Sequence, residues 1–86
     1  MEERVRANEV LGKTIVSEET GRKFGVVADV EFVAESGELL NLVVGQPTKH
    51  LQELNLKTNE KGQALIPCSA IKSVGDYVIV SENELL

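Results

Sequence analysis

The sequence predicts an all-β fold: a small closed or nearly closed antiparallel β-barrel of about six strands, with at most short helical turns. Three observations carry this. Short apolar runs recur at roughly 8–12 residue spacing, separated by Gly, Asn, Ser and Asp turns. Residues 24–32 alternate with period two, the pattern of a half-buried strand. No stretch sustains a helical period. Closure follows physically, because an open sheet of this size would leave long bare edges. Residues 1–86 are expected to form one domain, with 1–7 and 81–86 as frayed tails.

Taken in order, Asn8 is placed to cap one helical turn that Gly12 ends, with Val10 and Leu11 plugging an end of the core. Residues 13–17, rich in β-branched side chains, read as the first strand. Gly21 supplies the backbone freedom for the turn into the long strand. That strand's even positions, Phe24, Val26, Ala28, Val30 and Phe32, are expected to face inward, and Gly25 marks a bulge or bend. The turn at residues 35–38 leads to a third strand, 39–45. Its faces are Leu40, Leu42 and Val44 on one side and Leu39, Asn41 and Val43 on the other.

Residues 47–63 form a long connection in which 50–54 could make a helical turn and 54–56 a short strand. Residues 64–66 are a short strand ended by Pro67, which cannot donate to a ladder. Residues 71–74 and 77–80 make a hairpin around Gly75 and Asp76, an order that favours a type II′ turn.

The chain has 86 residues and a net charge of −5. A chain of this length buries only about 60–65% of its unfolded surface, so its core is modest and a second copy would help it. The negative charge argues against a nucleic-acid binder and against docking on anionic lipid. It fits a basic partner. The single cysteine, Cys68, cannot form an internal disulfide. No apolar run is long enough for a helical span, and the charged N-terminal stretch lacks the apolar core of an export signal. A cytoplasmic protein with no direct membrane insertion is expected.

Three segments in order resemble the PRC-barrel family. They are Val10-Leu11-Gly12-Lys13, then residues 19–30 (ETGRKFGVVADV), then residues 65–80 (LIPCSAIKSVGDYVIV). Residues 47–63 show no match. The resemblance implies a small β-barrel used for protein–protein docking. Family members include the cytoplasmic domain of the photosynthetic reaction-centre H subunit, the C-terminal domain of a ribosome-maturation factor, and short stand-alone archaeal proteins. This chain looks most like the stand-alone archaeal group, which has been linked to cell division through SepF, the membrane anchor of FtsZ. The resemblance thus implies an adaptor in that apparatus, with a SepF-like partner. The alternative it implies is an accessory factor in RNA processing or ribosome maturation.

The residues themselves point to no reaction. His50 and Cys68 are each unique, too few for a zinc site. A Cys–His nucleophile pair is conceivable, but a buried inert thiol and a loop histidine are the simpler reading. Asp29 and Glu31 share a strand face, where solvation or edge protection accounts for them. Residues 20–25 have glycines and cations but neither the spacing nor the helix of a phosphate loop. We therefore expect no enzyme, no cofactor and no metal. The expected partner or dimer surface is Val27, Asp29, Glu31, Val33, Leu39 and Val43, the side of the hairpin facing away from the inward set. The alternative is that the leucines of 47–63 cover it.

Overall fold

The computed structural model describes residues 7–85. Six strands, β1 (Thr14–Ser17), β2 (Lys23–Phe32), β3 (Leu39–Gly45), β4 (Leu65–Pro67), β5 (Ile71–Val74) and β6 (Tyr77–Val80), form one sheet in the order β4-β3-β2-β1-β6-β5. Two single-turn helices, α1 (Ala7–Val10) and α2 (Lys49–Gln52), and 3-10 turns at Cys68–Ala70 and Glu82–Leu85 complete it.

The sheet is not closed by hydrogen bonds, since no ladder joins β4 to β5. It is also mixed: β1 pairs with β6 in parallel, whereas every other pair is antiparallel. Both corrections have one cause. β4 and β5 are two halves of one path, separated only by the Cys68–Ala70 turn, and both run in the same direction. The chain leaves one edge of the sheet and joins the other without reversing. Strand direction therefore alternates everywhere except at this step, which makes β6 parallel to β1. Flat, the two edges of six strands would lie about 24 Å apart. The link from Pro67 to Ile71 spans at most about 14 Å, so the sheet must curl.

Inside the curl lie Val10, Ile15, Phe24, Leu42, Ile66 and Val78 with their buried neighbours. The long connection lines this core rather than the outside: Leu51 is fully buried in it, and Leu54 and Leu56 pack against it. Thr48 caps α2, its Oγ1 accepting from the Leu51 N–H at 3.3 Å and donating to the Lys23 carbonyl at 2.7 Å. Residues 54–56 do not form a strand. Instead Thr58 bridges Ala64 around an Asn59 turn, where Asn59 Oδ1 accepts from the Lys61 and Gln63 N–H groups.

Three local expectations change. Asn8 lies within α1 rather than capping it, and Leu11 is exposed. Gly75 does not have the positive φ that a type II′ turn needs. The expected fraying of 81–86 does not hold for 81–85, because Ser81 is buried and Glu82–Leu85 form a hydrogen-bonded turn. Of the expected frayed segment 1–7, Ala7 is helical, and residues 1–6 lie outside the described residues.

Candidate functional site

Bulges decide which side chains of the β2–β3 hairpin face out. Ile15 pairs with Gly25 but Val16 with Lys23, so Phe24 is an extra residue and both Phe24 and Gly25 are buried. Val27 pairs with Val44 but Asp29 with Val43, leaving Ala28 extra. Glu31 pairs with Asn41 but Phe32 with Leu39, leaving Leu40 extra. Each bulge reverses the alternation that follows it.

The expected inward set is therefore corrected. Phe24 is core and Val30 packs against the core, but Val26 is only half-buried, and Ala28 and Phe32 are exposed. Of the expected outer set, Val27 (2% exposed) is core, and Leu39 packs against the core. Val43 lies on the outer face with its cross-strand partners Asp29 and Leu65, yet is buried at 3% exposure. Val33 is half-buried in the loop closure, its N–H donating to the Glu38 carbonyl. Asp29 is exposed, and Glu31 is half-buried, accepting from Asn41 Nδ2 at 3.0 Å. The six expected residues thus do not form one exposed face. The large apolar side chains that do protrude here are Phe32 and Leu40, each 49% exposed.

The hairpin's charge is one-sided. Residues 24–48 contain Asp29, Glu31, Glu35 and Glu38 and no Lys, Arg or His. Among the described residues the carboxylates in contact with a basic side chain are Glu82, with His50, and Glu84, with Lys72, so none of these four carboxylates has a cationic partner. Beside the hairpin, along β4, an open groove is lined by Asn41, Leu56, Leu65, Pro67 and Leu85.

The opposite end of β2 gathers a second group that the sequence did not single out. Glu19 accepts from Ser81 Oγ at 2.8 Å and from the Glu82 N–H at 2.6 Å, which holds its carboxyl below the usual carboxylate range. Ser17 Oγ, in a buried residue, donates to Glu82 Oε1 at 3.0 Å. His50 stacks on Phe24, ring centroids 5.5 Å apart. Its Nδ1 lies 3.4 Å from the Arg22 guanidinium, which can only donate, so Nδ1 accepts. Nε2–H then donates to Glu82 Oε1 at 3.3 Å. Lys72 holds Glu84, and that bond raises the lysine above its usual range. The group is a clasp that fastens the chain's last turn to the sheet. Its two serines face carboxylates rather than the imidazole, the wrong arrangement for a base-activated nucleophile. Ser17, four residues from Gly21 at a strand end, offered no sequence signal of this pairing, since it joins residues more than sixty positions apart.

The Cys–His pair weighed from the sequence is not formed. The ring contacts of His50 are Phe24, Arg22 and Glu82, not Cys68. Burial pushes the Cys68 thiol up, with Glu38 adding to the shift, so it is the unreactive protonated form that is favoured. Among the described residues no cluster of His, Cys, Asp and Glu has the arrangement of a metal site. No helix among them is long and apolar enough to cross a membrane.

No curated protein matches the chain. The three sequence segments, the six-stranded curled sheet and the one-turn helices agree with a single finding of wider reach: the family model described as PRC-barrel domain matches residues 2–86, and the chain belongs to the PRC-barrel family.

Proposed function

We propose that this PRC-barrel is a non-catalytic docking module that works in the cytoplasm by holding a protein partner. The observation that carries the reading is the pair Phe32 and Leu40. Both are large apolar side chains left half in water on the longest hairpin of the sheet, while the core is filled by other residues of the same strands. Exposed apolar anchors rimmed by polar groups are what a docking surface presents. The finer reading is an adaptor in the archaeal division apparatus with a SepF-like partner, and it is supported by the family resemblance of the three sequence segments. A second copy of the chain is a further expected partner, with β5, the sheet-end strand paired only to β6, offering strand pairing.

The test is affinity capture from native lysate with identification by mass, using the wild-type chain and a Phe32→Ser/Leu40→Ser variant, alongside sedimentation of both. Capture of division proteins that the variant loses supports the adaptor reading. Capture of ribosome-assembly proteins instead transfers the role to the alternative. Equal capture by both chains means the anchors are the wrong ones. A mass of one copy at all concentrations removes the second copy as a partner.

A further inference from the structure

We infer that the β2–β3 arm is a receptor for a basic amphipathic protein segment: one that lays apolar side chains against Phe32 and Leu40 and Lys or Arg side chains against Asp29, Glu31, Glu35 and Glu38. This rests on the docking-module reading and names the chemistry of the partner.

Charge distribution is the first argument. Beyond Lys23, the first residue of β2, the arm (residues 24–48) holds four of the fourteen acidic side chains and no basic one, whereas the remaining chain holds ten acidic and nine basic. Residues 24–48 thus carry four of the five net negative charges. A chain that merely needed solubility would gain as much from carboxylates spread evenly, without the mutual repulsion of a cluster.

The second argument is internal contrast. At the far end of β2 three carboxylates are met by donors: Glu19 by the Glu82 N–H and Ser81, Glu82 by Ser17 and His50, Glu84 by Lys72. On the arm the carboxylates receive one amide from Asn41 and the N–H of the residue beside Asp29, and no cation among the described residues. Residues 1–6 carry two glutamates and two arginines, so that segment brings no net charge to the arm.

The third argument is the company these carboxylates keep. Leu40 is the extra residue of a bulge, and the same bulge sets Glu31 opposite Asn41. Phe32 follows Glu31 in β2, and Leu40 lies two residues after Glu38 of the turn, a pattern suited to a segment that is apolar and basic at once. A second copy offering the same arm would bring four carboxylates against four, which like-charge repulsion opposes. Nucleic acid and anionic lipid are excluded from this surface by the same sign.

The experiment uses the full chain, isotopically labelled, titrated with a synthetic amphipathic peptide of lysine and leucine and with its glutamate–leucine counterpart, read by backbone amide NMR shifts. The lysine peptide is expected to shift amides of residues 28–43 and to bind about tenfold more weakly on going from about 50 to about 300 mM NaCl. Glu35→Lys/Glu38→Lys is expected to weaken it about tenfold. Glu53→Lys/Glu60→Lys, the same charge change on exposed residues elsewhere, is expected to leave it within about twofold of wild type. Leu40→Ser is expected to weaken it at constant charge. Shifts centred outside the arm, equal weakening by the two lysine pairs, equal binding of the glutamate peptide, or no binding at all each overturn the inference. If the arm variant still captures the same lysate partners as wild type, this inference fails while the docking-module reading stands. If wild type captures nothing that Phe32→Ser/Leu40→Ser loses, it is that reading which fails.

Discussion

The two ends of β2 treat the same side chain in opposite ways. At the Lys23 end, the carboxylates of Glu19 and Glu82 are tied into a clasp by two serines, a backbone N–H and the His50 ring. At the Phe32 end, Asp29, Glu31, Glu35 and Glu38 have no cationic partner among the described residues and lie near exposed Phe32 and Leu40. A carboxylate with internal donors helps to hold a fold together. A cluster that few donors and no described cation meet leaves its field available to whatever approaches. The contrast separates a structural end from the end proposed for recognition on one ten-residue strand.

The contrast breaks most severely if the structural end is altered at Gly25. A Cβ there would lie 2.6 Å from the Gly45 carbonyl oxygen and 2.8 Å from Val44 Cγ1, at a φ of +146° that other residues rarely adopt. Gly25→Ala is expected to destabilise the chain by about 3 kcal/mol or more, seen as a collapse of the urea midpoint. A wild-type midpoint would mean that β2 does not need this bulge.

Two leucines sharpen the comparison within β3. Leu42 is fully buried and Leu40 is half exposed, though they stand two residues apart. Leu42→Ala is expected to cost about 2–5 kcal/mol, because a cavity is left in the core. Leu40→Ala is expected to stay within about 1 kcal/mol of wild type. Urea unfolding of both variants reads the difference, and equal losses would show that Leu40 is core.

The smallest effect expected belongs to the clasp. The folded carboxyl of Glu19 is held below its ordinary value of 4.5 by the Glu82 N–H and the Ser81 hydroxyl. Its contribution is therefore present above the unfolded pKa and is lost as pH falls through the lower, folded one. Amide exchange at Glu82 should accelerate in that acidic window while the core amides stay protected. Glu19→Gln should show fast Glu82 exchange already at neutral pH. Unchanged exchange in that variant would remove Glu19 as the anchor.

Much of the architecture was legible. The 39–45 strand, the Gly21 turn, the 71–80 hairpin and the Pro67 strand end are set by local chemistry: β-branched runs, glycines where φ must be positive, and a proline that cannot donate. The outer surface was not legible. Reading 24–32 as an unbroken alternation puts Val27 outside, and one-residue bulges at Phe24 and Ala28 undo that, while a third, at Leu40, interrupts β3. Gly25 hints at one of the three. Ala28 and Leu40 carry no mark, because which strand takes the extra residue is settled by the fit of two strands against a shared core.

Residue type and near neighbours are enough to place six strands and their turns and to put four carboxylates and no cation in residues 24–48. Only the tertiary structure decided that the sheet curls around the Cys68–Ala70 step, that Val27 points in and Leu40 out, and that the last turn is fastened to Ser17, Glu19 and His50. Those outcomes rest on contacts between distant parts of the chain, whose geometry exists only once the strands have packed against one another.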